Sequence, residues 1–131
     1  MSRQLIVVGI ALLVLTVNAV AQKQGYVALG FTPPPASMKT GDVVETTLTF
    51  RALVDVEQLK VSVYPFSGVE VTSTPTEMTF GPLKRGEAAT MKVRVRLTAE
   101  KFGSLAVSMD ALTTDDRSSD AKTIVYGNPN R

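Results

Sequence analysis

The chain has no histidine and no cysteine among its 131 residues. Imidazole is the proton carrier of Ser-His-Asp triads and a principal ligand of zinc and haem. Thiolates carry nucleophilic sulfur and redox chemistry. Composition alone therefore excludes those classes. Serines are present, but none stands in a G-x-S-x-G elbow. The acidic residues fall in turn sequences or alternate outward along predicted strands, an arrangement that sets no two carboxylates across a cleft. The expectation is a protein without catalytic residues, cofactor or assigned metal site.

Three smaller constellations have a chemistry of their own. Asp110, Asp115, Asp116 and Asp120 surround a predicted polar loop, Thr113 to Asp120. Calcium takes clustered oxygen ligands, although this spacing matches no EF-hand and reads equally as a solvated Asp/Ser/Thr turn. Lys92, Arg94 and Arg96, preceded by Lys84 and Arg85, predict a basic stripe on one sheet face, a candidate surface for an acidic glycan or a negative partner. The same cations opposite Glu45 would form cross-strand pairs and discourage edge-to-edge association, and no aromatic residue interleaves them. Carbohydrate-binding surfaces stack sugars on aromatic rings. There is no Trp, and only Tyr64, outward by strand parity, with Phe66 after Pro65 supplies a small platform.

The elements that position these residues are strands. Short β-branched and aromatic runs of period two alternate with Gly, Pro, Asn and Asp clusters. They predict strands over Tyr26 to Phe31, Val43 to Leu53, Gln58 to Tyr64, Gly68 to Thr72, Met78 to Phe80, Ala88 to Thr98, Ser104 to Leu112 and Ala121 to Tyr126. Val44, Thr46, Leu48, Phe50 and Ala52 share a core face. So do Leu59, Val61 and Val63; Met91, Val93, Val95 and Leu97; and Leu105, Val107, Met109 and Ala111. Pro65 is expected to close the third strand. The proline triplet Pro33 to Pro35 holds the first strand at a sheet edge, from where it either packs on its own domain or exchanges with another chain. The fold class is all-β: one immunoglobulin-like antiparallel sandwich of about seven strands, with a closed barrel as the alternative.

The first residues read differently. Met1 to Gln4 carries one cation, Leu5 to Val17 is apolar, and Ala19-Val20-Ala21 fits a signal-peptidase site, predicting cleavage before Gln22. The rival, an uncleaved anchor, sits at the short limit for crossing about 30 Å of hydrocarbon. The expected organisation is a signal peptide over 1–21, the sandwich over 22–127 and a flexible tail over 128–131. Without Arg3 the net charge falls from +2 to +1, which gives no electrostatic case for nucleic acid. No membrane span is expected after cleavage.

The turns carry a resemblance. Gly41-Asp-Val-Val-Glu45 opens one strand, Gly68-Val-Glu-Val71 follows another, and Leu83-Lys-Arg-Gly-Glu87 and Gly103-Ser-Leu-Ala-Val107 open two more. Their order resembles bacterial extracellular immunoglobulin-like modules of the CARDB (cell-adhesion-like) and NEW3-type group, over roughly Thr40 to Tyr126. The resemblance implies a spacer, stalk or binding accessory and carries no functional residues. The expected role is that of an exported, secreted or periplasmic, non-enzymatic module with a protein partner. The alternative is an accessory protein that binds a glycan or calcium through strand-end loops.

Overall fold

In a computed structural model, residues 25–129 are described; the expected signal peptide and the last two residues of the tail lie outside them. The order is β1 (Val27–Phe31), β2 (Val43–Ala52), β3 (Gln58–Ser67), β4 (Val69–Val71), β5 (Glu77–Phe80), β6 (Ala88–Leu97), β7 (Phe102–Leu112) and β8 (Arg117–Gly127). They form two four-stranded sheets, β1-β2-β6-β4 and β5-β3-β7-β8, with every pairing antiparallel. No helix occurs among the described residues.

Period-two alternation buries one face of each sheet against the other. Leu48, Phe50, Leu59, Val61, Val93, Val95, Leu97, Leu105 and Val107 are inaccessible or nearly so. At about 1.5–3 kcal/mol for each fully buried large aliphatic or aromatic side chain, this core stabilises a chain that has no disulfide. Phe50 of β2 meets Phe80 of β5 across the layers, with centroids 6.2 Å apart. Met38, outside any strand, also joins the core at 3% exposure.

The two sheets are stitched at Gly68. Here the chain leaves β3 and enters β4 in the opposite sheet, with φ at +68°. The Gly68 carbonyl accepts N–H groups from Thr98 (2.9 Å) and Ala99 (3.1 Å). Gly103 of β7 runs directly beside it: an ideal Cβ there would lie 2.5 Å from the Gly68 oxygen.

Most strand ends shift by one or two residues, and two boundaries differ from expectation by more. β3 continues through Pro65 to Ser67, with a register shift between Pro65 and Ser67. The bond from Val63 N–H to the Thr76 carbonyl (2.9 Å) directs odd-numbered backbone groups of β3 toward β5. β5 pairs no further along than Ser62, so the donor that Pro65 lacks faces an empty edge. The polar loop is also shorter than expected. It spans only the turn closed by Thr113 N–H to the Asp116 carbonyl (2.8 Å), and β8 begins at Arg117.

Candidate functional site

Parity divides the outer face of the β5-β3-β7-β8 sheet into two ends of unlike chemistry. At one end Lys60 lies opposite both Asp110 and Thr79, and Ser119 opposite Asp110. Lys60 pairs with Glu77 at 3.4 Å and Arg117 with Asp110 at 3.5 Å. Toward the other end the rows read Ser62, Ser108, Ala121; then Tyr64, Ala106, Thr123; then Ser67, Ser104, Val125; then Phe102 beside Gly127. Ser62 still faces Glu77 of β5, and no charged side chain occurs in the three rows beyond it.

This uncharged end holds four of the exposed large apolar residues: Tyr64 at 47%, Phe66 at 68%, Phe102 at 44% and Val125 at 46%. Phe66 is the residue left over by the register shift that follows Pro65, and such bulges re-aim a side chain out of the ladder. Between Tyr64 and Thr123, Ala106 is only 3% exposed although it points outward. The patch is therefore a floor of small residues with raised aromatic and branched walls. Sequence reasoning reached Tyr64 and Phe66 but not Phe102 and Val125. Phe102 precedes the predicted strand Ser104 to Leu112, and Val125 borders the patch only through the β7–β8 register.

The basic residues share a face only in part. Lys92, Arg94 and Arg96 are exposed on the outer face of β6, in the other sheet, where the register sets Thr47 against Lys92, Glu45 against Arg94 and Glu70 against Arg96. Arg96 is bonded to Glu70 at 2.8 Å. Exposed pairs of this kind are worth about 0–1 kcal/mol, but they interleave acid with base across the stripe. Ala88 and Thr90 separate these cations from Lys84 and Arg85, which belong to the preceding turn.

The acidic loop residues are dispersed as well. Asp120 is in β8 opposite Met109 rather than in the loop, because the Ser118 and Ser119 stretch pairs with Ala111 and Asp110. Asp110 faces outward, as parity requires, and accepts from Ser119 Oγ at 3.2 Å beside Arg117. Asp116 accepts from the Tyr26 hydroxyl (2.7 Å) and from Arg117 N–H (2.8 Å). Among the described residues no three acids gather as a metal-ligand set. Millimolar calcium is expected to leave the melting temperature unchanged by differential scanning fluorimetry; a rise of several degrees would restore the calcium reading.

No protein-family profile matches the chain, and neither does any curated protein. Solved structures do. The chain is similar to native α2-macroglobulin from Escherichia coli, in a structure spanning domain MG7 to the C-terminus, with a TM-score of 0.65 and 21% identity over 79% of the chain. The fold is an immunoglobulin-like β-sandwich. The elastase-activated form of the E. coli protein is similar too, with a TM-score of 0.58 and 21% identity over 79% of this chain. The chain spans only 16% and 9% of the lengths of those two structures. At that identity the likeness concerns architecture, and one architecture hosts many functions.

Proposed function

We propose that this protein is an exported, non-enzymatic immunoglobulin-like module of the envelope or extracellular space, whose mature domain over 22–127 binds a protein partner. The observation that carries this reading is the uncharged patch of Tyr64, Phe66, Phe102 and Val125, raised around Ala106 and Ser104. Contiguous apolar surface of this kind on a soluble domain marks interaction sites, and interface cores are enriched in aromatic residues and depleted of charge. Lys92, Arg94 and Arg96 offer a second surface on the opposite face, weaker because Glu45 and Glu70 interleave it. The resemblance of the turns to those of adhesion-like and NEW3-type modules, which no family profile supports, implies the same role.

A glycan reading rests on the same aromatics, since Tyr64 and Phe66 stand beside hydroxyl-bearing Ser62, Ser67 and Ser104. Photo-crosslinkers placed in the full chain at Phe66 and at Lys92, in the producing cells, test the reading. A discrete protein adduct from Phe66, abolished when Tyr64→Ser is added, is the expected result. Adducts from Lys92 alone would move the site to the basic face. Absence of protein adducts from both, with sugar-dependent thermal stabilisation, would replace the protein partner by a glycan. The mass of the mature protein checks export: it should begin at Gln22, and retention of Met1 to Ala21 overturns cleavage.

A further inference from the structure

β8 borders the patch and, among the described residues, is an outer strand of its sheet, and its sequence divides that edge into two halves. In an antiparallel pair, every second residue turns its backbone groups to the neighbouring strand and the others turn away. Two bonds at opposite ends of the β7–β8 hairpin show which do so. Thr113 donates to the Asp116 carbonyl (2.8 Å), and Asn128 donates to the Lys101 carbonyl (3.0 Å). Both lie in line with the register that joins Leu112 to Arg117 and Phe102 to Gly127. The even-numbered residues of β8 therefore bond β7. Arg117, Ser119, Ala121, Thr123, Val125 and Gly127 present their N–H and C=O groups to the open edge.

The first half of this edge is blunted by carboxylates. Arg117 N–H donates to Asp116 Oδ1 at 2.8 Å, and Ala121 N–H donates to Asp120 Oδ1 at 2.8 Å. Occupied donors and nearby charge are how native edges resist pairing. Beyond Lys122 the protection stops, because Thr123-Ile-Val-Tyr-Gly127 contains no acid, no cation and no proline. This open half is also the half that borders the patch. Val125 is exposed there, and Gly127 has no side chain to screen Phe102 from the edge.

We propose that the Thr123–Gly127 edge of β8 is the docking site for an extended peptide segment of a protein partner, which adds to the sheet as a further strand. The inference rests on the protein-binding reading above and names the mode of recognition. Main-chain bonds to Thr123, Val125 and Gly127 supply affinity, and alternate side chains supply specificity. On the outer face the added strand carries apolar residues, one beside Val125 and one over Gly127 against Phe102. On its other face it passes Lys122, whose side chain is 56% exposed, lies 4.0 Å from Asp120 and is open to a second acidic residue on the added strand. The caps decide between a foreign strand and a second copy. In an antiparallel pair of β8 strands, any in-phase register longer than the open half brings Gly127 of one copy against Ala121 or an earlier residue of the blunted half of the other, so a second copy gains no pairing beyond Thr123–Gly127.

Selection of a random displayed heptapeptide library on the full-length protein tests this. Peptides with alternating apolar residues are expected, slowing amide exchange at Thr123, Val125 and Gly127. Methylating every second peptide amide should weaken binding at least tenfold. V125P removes an outward N–H and no bond to β7, and should do the same while circular dichroism stays native. D120A frees the Ala121 N–H and should tighten binding several-fold. The proposal is overturned if no peptide is enriched, if protection maps elsewhere, if methylated peptides bind equally, or if the edge is instead occupied by a second copy in a concentration-dependent dimer. Should V125P fail to fold, the methylated peptides decide. Continued cross-linking from Phe66 in any of those cases would leave the protein-binding reading standing on the sheet face without strand addition.

Discussion

Gly103→Ala should lower the melting temperature by on the order of 15 °C, corresponding to about 3 kcal/mol for overpacking in a domain of this size. The added methyl would lie 2.5 Å from the Gly68 oxygen and 2.6 Å from both the Gly68 carbonyl carbon and the Ser67 oxygen. All three are backbone atoms, and they have no freedom to retreat. The Gly68 carbonyl is held by Thr98 and Ala99, and Gly68 is itself confined, since a Cβ on it would approach Ala99 Cβ to 2.8 Å. Gly86→Ala is the control. Gly86 has a positive φ, +91°, which Gly103 lacks, but nothing lies within 4 Å of its Cβ position, so the change should amount to about 1 kcal/mol of backbone strain. A loss from Gly103→Ala no larger than that from Gly86→Ala, measured by calorimetry, would show that crowding at the crossover does not govern Gly103.

The second large effect concerns a buried pair of hydroxyls. Thr46 of β2 and Tyr126 of β8 are 1% and 0% exposed, and their oxygens lie 2.8 Å apart across the two sheets. Thr46→Val or Tyr126→Phe strands the other hydroxyl in an apolar setting, and each should lose about 1–3 kcal/mol in denaturant unfolding. The double variant should lose less than the sum of the two, because removing both partners leaves nothing unsatisfied. Strict additivity would show that the hydroxyls do not depend on each other.

The same pair predicts an alkaline response. Burial raises the Tyr126 phenol above its ordinary 10.0, opposed in part by the bond to Thr46. Below the ordinary value the phenol is neutral in both states and its contribution is fully present. Above it the unfolded chain releases the proton first, so stability falls as pH rises toward the folded value. Tyr26 shifts in the same direction through its hydrogen bond to Asp116, then through burial and the Asp116 charge. Tyr126→Phe should therefore flatten the loss of stability above about pH 10. An unchanged slope would assign the loss to other groups.

The strand interiors were legible because one buried face leaves a period-two record. Met91, Val93, Val95 and Leu97 face the core as their alternation requires, and so do Leu59, Val61 and Val63. Thr46 was correctly placed inward, but only its partner Tyr126, 80 residues away, explains how a hydroxyl is tolerated there. What eluded the sequence depends on neighbours. Pro65 reads as a terminator unless the empty β5 side is known. Arg117 to Asp120 reads as loop because its residues are polar, whereas their strand conformation comes from pairing with Asp110 and Ala111. The apolar patch draws Phe102 and Val125 from separate strands, and local composition does not register such a junction. Lys92, Arg94 and Arg96 are exposed at alternate positions of β6, but their dilution by Glu45 and Glu70 is a property of β2 and β4.

The crossover at Gly68 bears on when the chain can fold. β2 finds its inner neighbour only in β6, and β3 finds one of its two neighbours only in β7. Neither sheet closes until residues 88–112 are available, and β4 is fastened to β6 rather than to the strand just before it. Contacts so distant along the chain make for slow, late folding with little stable structure at shorter lengths. A nascent chain with this topology holds neither closed sheet until nearly all of the sandwich has been made.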